Sequence, residues 1–240
     1  MRSRNTARSV ANWRGWLACV LCMALLPFPA AAAQGQAAAS APESQRKTSA
    51  PYTGDLTIFD YSEREQKLHI QQVMDLLGIV PGKTVADIGA GSGWVTMLAA
   101  KRVTPTGRVY AVEINPAAID YINQRAQKEG LANITTILGT ADNSKLPAAR
   151  VQAVLLLKTY HEVAKPVDLM RNLRAALRPG ARVGIIDRNG NGENHGVSKT
   201  VVMSEMDSAG YRLVGEHDEL VKDDKMDYFL IFEAKPLGRP

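Results

Sequence analysis

Between Thr84 and Ala100 the chain reads TVADIGAGSGWVTMLAA, with Gly89, Gly91 and Gly93 directly after a short apolar run. Glycines this close together let backbone turn sharply and lie against a ligand that a side chain would hold off. A helix starting behind them turns its unpaired N–H groups toward that ligand. Gly89, Ala90, Gly91, Ser92 and Gly93 are therefore the candidate binding loop. The dinucleotide fingerprint needs a third glycine where this chain has Trp94, which counts against a nicotinamide or flavin dinucleotide. Asp87, just before the loop, suits a cationic amino group better than a pyrophosphate. Glu113, in AVEINP, stands where an acid accepts both hydroxyls of a ribose, a placement that the dinucleotide reading predicts equally well. Asp142, in GTADNSKLP with Ala141 beside it, places a carboxylate to accept the exocyclic amine of an adenine.

Proton-transfer candidates follow in LKTYHEV: Lys158, Tyr160, His161 and Glu162. Histidine is the side chain suited to proton transfer near neutral pH, so His161 is the leading candidate base, with Tyr160 at its side. The alternative is that both only shape a pocket or bond to the adjacent loop. Lys158 is read as a substrate or backbone contact. Asp187 and Arg188 precede NGNGENHG, a loop whose His195 is a second acid–base candidate, or otherwise a solvent-facing histidine. His69 and His217 are read as structural.

These residues need elements to hold them. The spacing predicts a helix from Ser62 to Leu77, opened by a Ser62–Glu65 capping box and closed by Gly78. Strands are expected at Thr84–Ile88, Arg108–Ile114, Ile134–Leu138, Val151–Leu157 and Ala181–Asp187. Helices are expected after Gly93, from Pro116 to Glu129, over Val167–Leu177 and over Val197–Ala209. Strands alternating with helices imply crossover connections and a parallel sheet covered on both faces. The last two strands, near Tyr211–His217 and Asp227–Glu233, have no room for a helix between them. They must form a hairpin, which puts an antiparallel strand into the sheet.

With these four segments in order, the chain resembles the class I S-adenosylmethionine-dependent methyltransferases from about Ser62 to the C-terminus. VADIGAGSG is similar to that family's first motif, AVEINP to its second, GTADNSKLP to its third and VQAVLLLKTYHEV to its fourth. The resemblance implies an α/β fold: a seven-stranded, mostly parallel Rossmann-like sheet of order 3-2-1-4-5-7-6, strand 7 antiparallel, with helices on both faces. It also implies S-adenosyl-L-methionine as cofactor. Asp87 would face its amino-acid end, the Gly89–Gly93 loop would wrap it, Glu113 would hold the ribose and Asp142 the adenine. Ile114, Ala141 and Leu157 would complete the cofactor contacts. From the residues themselves, the N-terminal helix around Asp60 to Leu77 is expected to cover the cofactor, with Tyr61 and Arg64 lining the pocket; an exposed helix face explains those two equally well. No metal is expected.

The first residues call for a different reading. Met1–Trp16 carries Arg2, Arg4, Arg8 and Arg14 without an acid, and LACVLCMALLPFPAAAA follows to Ala33. A basic start, a short apolar middle and an Ala-x-Ala end predict a signal peptide over 1–33, cleaved after Ala33. The expected destination is outside the cytoplasm, in a periplasm; the alternative is an uncleaved membrane anchor. Residues 34–54 read as a disordered spacer and 55–240 as one catalytic domain. Both cysteines, Cys19 and Cys22, lie in the leader, so the processed chain would have neither disulfide nor thiolate site. Loss of four arginines takes Lys+Arg against Asp+Glu from 29 against 24 to 25 against 24. That near-neutral balance argues against nucleic acid as partner. With no insertion large enough for a substrate domain, the acceptor is expected to be a small molecule. A non-catalytic cofactor-binding sensor and an NAD-linked oxidoreductase are the competing functions; oligomeric state is left open.

Overall fold

Seven strands meet edge to edge in one sheet of order β3-β2-β1-β4-β5-β7-β6. They are β1 (Thr84–Ile88), β2 (Arg108–Glu113), β3 (Ile134–Leu138), β4 (Val151–Leu157), β5 (Leu177–Asp187), β6 (Tyr211–Glu216) and β7 (Tyr228–Ala234). β1 to β5 are mutually parallel, while β7 runs antiparallel to both β5 and β6, as the missing crossover requires. The computed structural model describes residues 46–48, 52–191 and 194–236. The expected signal segment and most of the expected spacer lie outside them. Among the described residues no helix is long and apolar enough to cross a membrane.

The central strands are apolar along their whole length because both of their faces are covered. Along β4, Ala153, Leu155 and Leu157 join one core cluster while Val154 and Leu156 join the other. That alternation is the two-residue period of a strand. The first cluster receives α2 (Ile70–Leu77) and α3 (Trp94–Val103). The second receives α5 (Pro166–Leu173) and α6 (Lys199–Ser208). A third, smaller cluster seats α4 (Pro116–Lys128) through Ile122 and Ala126 against Met97 and Ala111.

Two expected elements differ. The helix predicted from Ser62 to Leu77 is broken into α1 (Arg64–Lys67) and α2, with His69 at φ 42° between them. The Ser62 capping box does not form: Glu63 precedes α1 in a left-handed conformation without a side-chain cap. Leu68 and Ile70 are both fully buried. Two residues apart on a continuous helix they would point to nearly opposite sides, so the break lets both reach the core. β5 begins at Leu177, four residues before the predicted Ala181, because Leu177 pairs with Val151 across a register shift that absorbs Pro179 and Gly180.

Leu155 is fully buried in the middle of the sheet. Leu155→Ala is expected to lower unfolding free energy by about 2–5 kcal/mol in urea denaturation, the range for an incompletely relaxing core cavity. A loss below about 1 kcal/mol would contradict this packing.

Candidate functional site

The carboxyl ends of β1, β2 and β4 deliver three of the expected residues to one edge. Asp87, near the end of β1, is 2% exposed and accepts a hydrogen bond of 2.6 Å from Thr96 Oγ1 on α3. Burial pushes its carboxyl up to about 6, and the neighbouring Glu113 charge adds to the rise against the Thr96 hydrogen bond. The loop after it turns through three left-handed glycines, with φ of 72°, 54° and 73° at Gly89, Gly91 and Gly93. A Cβ on Gly89 would lie 2.2 Å from Thr159 Cγ2, so this glycine is needed for space as well as for conformation. Gly91 is different: the nearest side-chain atom to a Cβ there would be Phe59 Cδ2 at 3.9 Å.

Glu113 closes β2 and folds back onto the loop. Its Oε1 accepts from Gly91 N at 2.8 Å and its Oε2 from Ile114 N at 2.9 Å. Leu157 is buried at the end of β4, while Ile114 is exposed. Asp142 sits farther along this edge, after β3. It accepts from Thr140 Oγ1 at 2.8 Å, which together with the more distant Lys165 holds its carboxyl below the usual range. Ala141 beside it is exposed and Asp142 half-buried.

The segment before α2 packs over the loop. Ser92 Oγ donates to Asp60 at 2.7 Å, and Arg125 of α4 pairs with the same carboxylate at 2.5 Å. Arg64 is 7% exposed, its guanidinium 4.2 Å from the centroid of the Trp94 ring. Its charge acts on Asp87. Tyr61 donates to Asp224, and Lys158 pairs with Asp224 at 2.7 Å. Asp60, Thr96, Arg125 and Asp224 were not legible as site residues. Asp60 and Asp224 lie in segments with no motif, and Arg125 reads as an ordinary exposed helix residue.

A second group gathers at the ends of β4 and β5. His161 lies in a single 3-10 turn, Tyr160–Glu162, and its Nδ1 is 2.8 Å from Asp187 Oδ1. The His161 and Arg188 backbone N–H groups also donate to this carboxylate. His161 Nε2 is 3.1 Å from Glu162 Oε1, and His195 Nδ1 is 3.0 Å from the same oxygen. Arg188 Nε donates to the His195 carbonyl at 2.6 Å, holding that loop in place. The two expected acid–base histidines thus face one carboxylate. Tyr160 does not join them: it is fully buried, and burial raises its hydroxyl well above the usual phenol range. The structure therefore does not carry the expected catalytic role of Tyr160, because that side chain belongs to the core. Arg46 packs on its ring and reaches Glu205. His69 and His217 lie away from the group, facing Asp223 and Phe229.

Residues 85–180 match the family described as Methyltransferase domain. Over 76 residues the chain is 40% identical to a protein-L-isoaspartate O-methyltransferase of Aeropyrum pernix, covering 32% of this chain and 29% of that protein. Over 169 residues it is 24% identical to a ubiquinone/menaquinone biosynthesis C-methyltransferase of Hydrogenovibrio crunogenus, covering 70% and 64%. The chain thus spans less than two thirds of these relatives' length. The fold is shared with an S-adenosylmethionine-dependent methyltransferase of Aquifex aeolicus, with a TM-score of 0.65 and 22% identity over 75% of this chain and 95% of the other.

Asp87 makes a pH-dependent prediction. Its folded pKa, about 6, lies above its ordinary value of 3.8. Between those values the folded state keeps a proton that the unfolded state releases, so stability falls as pH rises from about 4 to 6. Asp87→Asn is expected to stabilise the ligand-free protein at pH 7.5 by roughly 1–3 kcal/mol and to leave it nearly unchanged near pH 4. Denaturant unfolding at the two pH values checks this. Equal effects at both would refute the buried charge.

Proposed function

We propose that this protein transfers the methyl group of S-adenosyl-L-methionine to a small-molecule acceptor. The observation that carries the reading is Asp87, a buried carboxylate beside a three-glycine turn. It favours a ligand that brings both a cation and close backbone contact. S-adenosylmethionine supplies an electrophilic methyl on a charged sulfur. Asp87 would receive its amino group and the Gly89–Gly93 loop its amino-acid portion. Glu113, already turned toward the loop, would exchange its contacts with Gly91 and Ile114 for the ribose hydroxyls. Asp142 would accept the adenine amine, with Ala141, Ile114 and Leu157 along the base. Trp94 and Asp142 together disfavour a nicotinamide dinucleotide.

His161 would serve the acceptor side. Asp187 holds Nδ1 of the ring at 2.8 Å, which turns Nε2 toward Glu162. An acceptor that attacks only as an anion would lose its proton at this group. The short connections at the ends of β4 and β5 leave no separate substrate domain among the described residues, which supports a small acceptor. We further propose that residues 1–33 direct export, from their basic start and apolar middle.

Calorimetry is expected to show S-adenosylmethionine binding and no NAD binding. Asp87→Asn and Glu113→Ala should each weaken the former by about tenfold or more, the value of a hydrogen bond to a charged group. Unchanged affinity in both variants would overturn the assignment. Binding without turnover across phenols, thiols, amines and quinone precursors would favour a sensor. A reporter fused after Ala39 is expected outside the cytoplasm; a wholly cytoplasmic signal would sink export.

A further inference from the structure

We propose that His161, Glu162 and His195 bind a divalent transition-metal cation of the zinc class, in a site whose remaining positions open toward the acceptor. The set was not expected from sequence, where no metal was foreseen. Its potential ligand atoms lie within 4.8 Å of one another. The Nε2–Oε1 and Nδ1–Oε1 separations are 3.1 and 3.0 Å. A tetrahedral zinc with bonds of about 2.0–2.1 Å holds its ligands roughly 3.3 Å apart, so the two pairs that share Glu162 Oε1 already stand near that spacing and the two histidine nitrogens would close to it around the ion.

The geometry around His161 makes the case. Asp187 is fully buried and holds Nδ1 at 2.8 and 2.9 Å from its two oxygens. A carboxylate stands in this place behind a metal-bound histidine and orients the ring. Nε2 is thereby turned toward Glu162 Oε1. A cation seated there would take Nε2, that oxygen and His195 Nδ1 as its three ligands. Two imidazoles and one carboxylate suit zinc, cobalt or iron(II) rather than calcium or magnesium.

The ligands also have graded exposure. The His161 side chain is 7% exposed, Glu162 31% and His195 60%. The ion would therefore be anchored from the core and open to solvent on its other side. Three protein ligands among the described residues would leave a position for an acceptor hydroxyl or thiol. Coordination would release that group's proton to solvent and leave the anion on the metal, in place of the proton transfer to His161, whose Nε2 the ion would occupy. This consequence rests on the methyltransferase reading; the metal site itself does not.

The test is zinc titration of the full chain after chelator treatment and dialysis, by calorimetry with zinc sulfate. One zinc per chain is expected, weakened at least tenfold by His195→Ala and by Glu162→Gln. Because His195 is exposed, its substitution separates metal binding from folding, and a circular dichroism melt confirms the fold. Asp187→Asn should weaken zinc about 10–100-fold without removing a ligand atom. Cobalt(II) should give a visible ligand-field band that His195→Ala abolishes. Absence of zinc binding would overturn the proposal. So would zinc binding unchanged in both ligand variants. Zinc binding without S-adenosylmethionine binding would sustain the metal site and sink the methyltransferase reading; the reverse would do the opposite.

Discussion

A carboxylate at the dry end of β1 is the constraint from which the rest of the site follows. Asp87 is buried by the apolar residues that make β1 a central strand, and its one short side-chain hydrogen bond comes from Thr96. An ionised acid is costly there, and the cost falls when a cation approaches. Arg64 supplies part of that compensation from a pocket under Trp94. The same burial that strains the ligand-free protein would favour a positively charged guest, as the proposed cofactor is. Such a trade of stability against binding is common where function requires a desolvated charge.

The glycine turn after β1 and the acid that closes β2 were legible because local chemistry dictates them. Three left-handed glycines in five residues weaken a chain unless its backbone must turn tightly and lie bare, and Glu113 closing β2 follows from a strand ending where a loop must be held. The sheet order was legible through the missing crossover between β6 and β7. The break at His69 was not, because an apolar helical period in the sequence does not reveal that Leu68 and Ile70 must both reach the core. Tyr160 was misplaced for a similar reason. A polar tip beside His161 reads as chemistry, yet in a 3-10 turn successive side chains diverge by about 120°, and Tyr160 turns inward. Asp60, Arg125 and Asp224 act through long-range pairs that no local pattern encodes.

The antiparallel strand does more than finish the sheet. β7 pairs Tyr228 with Asp187, and the Asp227 N–H donates to the Asp187 carbonyl at 3.0 Å. Asp227 in turn accepts from Asn189 N at 2.7 Å, fixing the chain as it leaves β5. With that cover Asp187 is inaccessible to water, so its carboxylate can hold one ring nitrogen of His161 in a low-dielectric setting where a hydrogen bond is stronger. A parallel sixth strand would have to return by a crossover helix. The hairpin instead returns directly to β5, and β7 pairs along it up to Asp187 at its carboxyl end. The edge of the sheet is therefore divided by its topology. β1 and β2 hold a buried acid and bare backbone suited to a charged nucleoside, while β4 and β5, clamped by β7, hold an oriented imidazole.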